Sequence, residues 1–230
     1  MSEGGGMKII ARVHSDFPEK FGVPRQSGLV EQLRARVVFE PEYRVAEAVR
    51  GLDGYSHIWL IWQFSRALRE DWSPTVRPPR LGGNRRMGVF ATRSPFRPNG
   101  LGLSCVRLER VEMTRALGAV LHVAGADMVD GTPVFDIKPY LPYTDCRAEA
   151  TGGFTDEAAR RTREVSVAGR LLERVPEEKR QALLGVLAND PRPSYQSGGG
   201  RVYGLGFAGL EVRFRVEGGT LYVLDVENKT

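Results

Sequence analysis

The alternation of apolar and polar positions divides the chain into strand-like pieces over its first two-thirds and a mixed set after that. Residues 7–13 form a short apolar run. Residues 56–62, SHIWLIW, are β-branched and aromatic, as a buried strand requires. His57 lies inside that run and reads as a satisfied core histidine. Residues 101–113 alternate in part, with Val106 and Leu108 against Arg107 and Glu109. Residues 119–126 answer them across 114–118, a hairpin-like connection. Only 41–50 has helical character in this part of the chain.

Residues 73–100 read as a long loop, with five prolines and four glycines. A loop of that length is functional or disordered, and its apolar punctuation (Leu81, Met87, Val89, Phe90, Phe96) argues against disorder. A composition shift at 145–155 predicts a domain boundary, with 1–6 a flexible leader, 7–147 one domain and 155–230 a smaller α+β unit. In the latter, 164–171 predicts a strand. Pro176 then opens a helix with acids in its first turn, buried through Leu183, Val186 and Leu187. Residues 211–216 and 220–226 predict a hairpin about Gly218-Gly219, with Val212, Phe214 and Val216 inward and Arg213 and Arg215 outward.

Composition excludes several classes. Hydrophobic residues make up 41% and charged residues 27%, the balance of an ordinary soluble globular chain. No apolar run approaches the ~20 residues of a membrane helix, and no signal-peptide pattern opens the chain, so the expected location is the cytoplasm. Two cysteines without a CxxC pair exclude a disulfide framework and argue against a thiolate zinc site. The three isolated histidines offer no paired metal spacing, so no metal is expected. The run Gly204-Leu-Gly206-Phe-Ala-Gly209 matches a dinucleotide fingerprint in letters only. It leads into an alternating strand rather than a helix, and reads as a glycine-rich turn between strands. The fold is therefore not Rossmann.

Charge is localised. The net charge is +5, yet residues 77–97 alone hold six arginines and no acid, leaving −1 for the rest. Such a segment predicts an anion-binding surface, and arginine suits phosphate through its planar fork. Three proline- and glycine-framed segments are poorly explained by folding alone: 21–27, 77–99, and 126–133 with its continuation 136–140.

Those segments carry the runs FGVPRQ, VRGL…SHIW, WSPTVRPPRLGGN, MGVFATRSPFRPN, DMVDGTPVFDIKPYLPY and NDPRPSY. In them the chain resembles the TsaA/TrmO family of tRNA methyltransferases, over nearly its whole length after Met7. The resemblance implies a mainly β fold, an antiparallel β-barrel followed by a small α+β C-terminal domain, acting as a homodimer. It implies S-adenosylmethionine as cofactor, and as substrate the anticodon loop of tRNA carrying N6-threonylcarbamoyladenosine just 3′ of the anticodon, methylated on that same N6. Cofactor contacts map onto Pro24, Arg25, Gln26, Phe64, Arg93, Leu103, Ala124, Gly125, Ala126 and Asp127. Relatives can carry histidine where this chain has Ser65. The acceptor nitrogen bears a carbamoyl group and is a poor nucleophile, so a base or firm orientation must help. By type and loop position the candidates are Asp130, Tyr140 and Asp190. Phosphate contacts are expected from Arg77, Arg80, Arg85, Arg86 and Arg97, and base stacking from Phe96 or Tyr140. By the residues alone, a non-catalytic RNA-binding barrel, or a methyltransferase on another modified base, is also open.

Overall fold

The computed structural model describes residues 6–67, 71–78, 85–157, 162–192 and 200–229. Most of the expected leader and Arg80 lie outside them. Six strands close into an antiparallel barrel: β1 (Ala11–His14), β2 (Arg34–Phe39), β3 (His57–Gln63), β6 (Leu101–Thr114), β7 (Gly118–Ala124) and β8 (Thr132–Pro139). Their order around the barrel is β1-β2-β7-β6-β3-β8. Closure leaves no exposed edge, and alternate side chains of every strand fill the lumen. Val13, Val37, Ile58, Leu60, Val106, Leu121 and Val134 form that core. A separate two-stranded ribbon, β4 (Thr75–Val76) with β5 (Met87–Gly88), lies within the arginine-rich segment.

Several expectations needed correction. Residues 56–62 are not buried on both faces: Ile58, Leu60 and Trp62 point inward, while His57, Trp59 and Ile61 are only partly covered. His57 is thus on the outer face, 3.0 Å from Ser56 Oγ through Nδ1. Of the apolar run 7–13, strand β1 begins at Ala11, with Ile10 already bonded through its backbone to Val134 and Glu40. Residues 41–50 form 3-10 turns, Pro41–Tyr43 and Ala46–Val49, rather than an α-helix. Strand β2 was missed, although Arg34 and Arg36 face out against inward Ala35 and Val37. The loop read over 126–133 and its continuation 136–140 is in large part strand β8, Thr132–Pro139. Pro133 is tolerated there because it sits at the strand start, before pairing with β3 begins at Val134.

The C-terminal sheet runs β10 (Val202–Phe207), β11 (Leu210–Glu217), β12 (Thr220–Asn228) and β9 (Val165–Ser166), the last pair parallel. The β11–β12 turn is as expected: Gly218 (φ 59) and Gly219 (φ 94) supply the two left-handed residues of a tight hairpin. The strand predicted over 164–171 shrinks to β9, followed by the helical turn Gly169–Leu172. Gly204 and Gly206 belong to strand β10, not to a turn. A Cβ at Gly204 would stand 2.0 Å from Glu211 Oε1, and one at Gly206 would stand 2.6 Å from Lys229 Nζ. The turn comes after them, at Ala208 (φ 51) and Gly209 (φ 78). Helix Glu177–Ala188 buries Ala182, Leu183, Val186 and Leu187, with Pro176 at its N-cap.

This second core is not built by C-terminal residues alone. Phe17, Val30 and Leu33, from the stretch between β1 and β2, are part of it. Phe21 stacks on Tyr203 and Phe214, with ring centroids 6.4 and 6.3 Å away. Asp16 takes both carboxylate contacts from Lys179 Nζ, at 2.8 and 2.7 Å. The C-terminal unit thereby holds the loop that carries Pro24, Arg25 and Gln26.

Candidate cofactor site

The site begins where β7 ends. Gly125 leaves the strand with φ 77, and a Cβ there would stand 3.2 Å from both Cα and N of Gly28, itself at φ 74. With no side chain on either residue, the Gly28 N–H donates to the Gly125 carbonyl and the Gly125 N–H to the Leu33 carbonyl, both at 2.9 Å. The 21–27 segment is thus stitched beside the 124–127 turn, and the Ser27 N–H faces the Asp127 carboxylate.

Asp127 is the centre of this arrangement. Ser104 Oγ donates to its Oδ1 at 2.6 Å, and Trp62 Nε1 donates to Ser104 Oγ at 2.9 Å. Ser104 and Trp62 are 1% and 6% exposed. An indole N–H can only donate, so the Ser104 hydroxyl proton is committed to Asp127. Burial pushes the Asp127 carboxyl up to about 6; the hydrogen bonds from Ser104 and the backbone N–H groups of Asp127 and Ser27, and the field of Arg93, pull against it. It is an ionised but only partly compensated carboxylate at neutral pH.

Cations approach from the loops. Arg93 Nη1 donates to Gln26 Oε1 at 2.5 Å, and Gln26 Nε2 to the Arg25 carbonyl at 2.5 Å. Arg25 Nη2 reaches the Arg192 carbonyl at 3.3 Å. Phe64 packs edge-on against Trp62, centroids 4.4 Å apart, with its N–H on the Gly100 carbonyl at 2.9 Å. Pro24, Ala124, Gly125 and Ala126 are buried, Ala126 within the barrel core. Ser65 follows Phe64 with its N–H on the Gln63 carbonyl, at 2.7 Å.

Other expected residues lie elsewhere. Leu103 is 51% exposed, its side chain on the face of β6 opposite Ser104. Asp130 sits three residues beyond Asp127 but accepts from the Ser15 N–H at 3.1 Å and stands 3.4 Å from His14 Nδ1. It lines a groove of about 620 Å³ shared with Asp16, Lys179 and Lys229, apart from the cluster. Tyr140 packs against Trp59 and His57 on the outer face of the barrel. Burial, with Cys146, Cys105 and Asp145 nearby, holds its hydroxyl above the ordinary value, the wrong direction for a base at neutral pH. Asp190 is taken by Arg192, bidentate at 2.9 and 3.0 Å, and by Arg163 at 2.5 Å. Burial raises its carboxyl, but these hydrogen bonds outweigh that and hold it below the usual range, again away from a base.

Of the expected phosphate contacts, Arg77, Arg85 and Arg86 are exposed. Arg86 Nε donates to Thr75 Oγ1 at 2.8 Å. Arg97 instead folds its own loop, donating to the carbonyls of Ser94 (2.9 Å), Val89 (3.2 Å) and Thr92. Sequence reasoning passed over Ser104 and Trp62. The signal was there: a serine at an inward position of an alternating strand needs a polar partner. Among the described residues no three His, Cys, Asp or Glu side chains group to hold a metal ion, and no helix is long and apolar enough to cross a membrane.

Comparison with known proteins decides the family. The profile described as tRNA-methyltransferase O N-terminal domain matches residues 12–146, and the TrmO C-terminal domain matches 153–229. The chain belongs to the TrmO family. It is 42% identical over 215 residues to the tRNA (adenine(37)-N6)-methyltransferase of Escherichia coli K12, covering 90% of this chain and 91% of that protein. It is 43% identical over 217 residues to a putative S-adenosylmethionine-dependent methyltransferase, RcsF, of Pseudomonas aeruginosa, covering 89% and 90%. The crystal structure of TrmO from P. aeruginosa superposes with a TM-score of 0.79 at 34% identity, over 99% of each chain. A barrel followed by a small α+β sheet is therefore the fold of this family.

Proposed function

We infer that this protein is an S-adenosylmethionine-dependent tRNA methyltransferase acting on N6 of an adenine, and we propose N6-threonylcarbamoyladenosine, 3′-adjacent to the anticodon, as the nucleoside it modifies. The observation that carries the reading is that Arg93, hydrogen-bonded to Gln26, and the backbone of Ser27 meet at the buried carboxylate of Asp127, three distant segments at one site, in a chain of the TrmO family.

The residues present suit the cofactor. It brings an α-carboxylate, ribose hydroxyls, an adenine and a sulfonium cation. Arg93 and Arg25 offer guanidinium groups for the carboxylate. Asp127, which feels the field of Arg93, offers a carboxylate to a hydroxyl or amino group or to the sulfonium. Phe64 offers apolar surface. When bound, S-adenosylmethionine supplies the electrophilic methyl carbon. The protein's own part is orientation: Ser104, fixed by Trp62, holds Asp127 in one rotamer, and the Gly28–Gly125 contact fixes the loop opposite. The N–C bond would form as the methyl–sulfonium bond breaks and a neutral thioether leaves, and the nitrogen's proton would pass to water or to a carboxylate. None of Asp130, Tyr140 and Asp190 shares the cluster; Asp127 is the carboxylate that does.

A homodimer in the cytoplasm is part of this reading. Leu103 faces away from Ser104 within one protomer, and a second copy covering it would bring it into use. In the same reading, the barrel domain, 7–147, holds the cofactor, and the C-terminal domain, 155–230, braces its loop. The test is direct. Purified protein is incubated with S-adenosylmethionine and tRNA from a strain that makes threonylcarbamoyladenosine, and the nucleosides are analysed by mass spectrometry. Gain of one methyl group on that nucleoside supports the proposal. Methylation of a different adenine would overturn the substrate and leave the reaction class.

A further inference from the structure

Two large aromatic side chains are left in solvent, Phe90 inside the acid-free arginine segment 77–97 and Trp72 just before it, beside Asp71. Phe90 is 74% exposed and Trp72 49%. They stack on each other, with centroids 6.1 Å apart and planes 25° from parallel. Leaving a ring of this size in water forgoes about 1.5–3 kcal/mol of burial, so an exposed stacked pair asks for an occupant.

The pair is held in place rather than loosely attached. Strands β4 and β5 pair Thr75 with Gly88 and Val76 with Met87. One step further, the Val89 N–H bonds the Pro74 carbonyl at 2.9 Å, and Val89 is buried. Trp72 therefore precedes the ribbon and Phe90 follows it at the same end. From the other end extend Arg77, Arg85 and Arg86, and three residues beyond Phe90 lies Arg93 of the cofactor cluster. Three residues of chain span at most ~11 Å.

We propose that the Trp72–Phe90 pair is a stacking platform for an unpaired base of the RNA substrate, next to the base that is methylated. The proposal rests on tRNA being the substrate. Charge selects this occupant: Phe90 belongs to the segment 77–97 with six arginines and no acid, and the ribbon that seats both rings carries the exposed Arg77, Arg85 and Arg86 at its other end, an excess over Asp71 that is complementary to a phosphate backbone. Stacking on an aromatic face flanked by arginine is how single-stranded nucleic acid is gripped without sequence readout. The platform is too open to enclose the reacting adenine, so it takes a neighbour. The sequence favoured Phe96 or Tyr140 for stacking. Tyr140 instead packs on Trp59 and His57, and Phe96 is half-buried in its loop.

The test uses the full chain and a synthetic anticodon stem–loop RNA, with binding followed by fluorescence anisotropy across a salt series. Trp72→Ala and Phe90→Ala are each expected to weaken binding roughly 5- to 150-fold, the effect of losing one base–aromatic stack. The slope of log affinity against log salt stays as in wild type, because no phosphate contact is lost. Phe90→Tyr restores binding. An abasic nucleotide at the contacted loop position lowers wild-type affinity and erases the effect of Phe90→Ala. Wild-type affinity in both alanine variants, while Arg85→Ala and Arg86→Ala weaken binding, overturns the platform and leaves the tRNA reading intact. No binding of RNA by the wild type removes both. A Phe90→Ala variant that turns a dimer into a monomer in sedimentation, with RNA affinity unchanged, assigns the pair to a subunit contact and overturns the proposal.

Discussion

Replacing Asp127 by asparagine should stabilise the protein at alkaline pH and weaken cofactor binding. Burial raises the Asp127 carboxyl from 3.8 to about 6. Between those values the folded protein holds a proton that the unfolded chain has released. Stability therefore falls as pH rises from about 4 to 6 and stays at the lower level above it. At 1.36 kcal/mol per tenfold step the full cost is ~3 kcal/mol. Asparagine keeps the shape and an acceptor for Ser104 but carries no charge. Its amide nitrogen cannot accept the Ser27 N–H, which returns about 1 kcal/mol. The net expectation is a gain of ~1–2 kcal/mol for Asp127→Asn at pH 8, or roughly 2–8 °C in Tm for a chain of this size. At pH 4 the gain is lost, because the wild-type carboxyl is then protonated. Urea denaturation at pH 4, 6 and 8 checks this, with calorimetry of S-adenosylmethionine binding at pH 8. Curves that run parallel across the whole range would refute the reasoning, since the charge of Asp127 would then cost the fold nothing.

Arg93→Ala should lower S-adenosylmethionine affinity by about 1.5–3 kcal/mol if the guanidinium makes a charge-assisted bond to the ligand's carboxylate; an unchanged isotherm would remove Arg93 from the site. Gly102→Ala should destabilise by ~2–3 kcal/mol, because its Cβ would stand 2.3 Å from Cε2 of the rigid Trp62 indole, and the shift should register in tryptophan fluorescence and in the urea midpoint. Asp190→Asn should cost ~3 kcal/mol of stability, since Arg192 is 6% exposed and would lose its carboxylate. Single-turnover methylation at a temperature where the variant is folded should be close to wild type, and a collapse there would restore Asp190 as a catalytic residue.

Elements that depend on neighbours in sequence were legible. The β11–β12 hairpin follows from two adjacent glycines between alternating strands, and the β6–β7 hairpin from Val106 and Leu108 phased against charged neighbours. Elements whose sense depends on distant chain were not. Strand β8 contains Pro133 and Asp136, which read as loop, yet β1 and β3 hold it on either side. Gly204 and Gly206 look like a turn because the side chains that occupy their Cβ space arrive from elsewhere, Glu211 from strand β11 and Lys229 from just past β12.

The sequence by itself determined the barrel-forming alternation, the family and the residue types at the cofactor cluster. It marked Gln26, Arg93 and Asp127 in loops framed by proline and glycine, where backbone stiffness is a local property. It could not place them together, because their contact depends on Gly125 meeting Gly28 and on Phe17 and Phe21 anchoring in the C-terminal core. It also could not separate the arginines that face solvent from Arg97, which folds its own loop, or the aspartate with free chemistry from Asp190, consumed by two guanidinium groups. Charge type is written in the residue; burial, and the partner that meets the charge, come from chain brought in over a hundred positions, as with Arg25 and Arg192. That is why the tertiary structure alone decided which carboxylate is unsettled and which is satisfied.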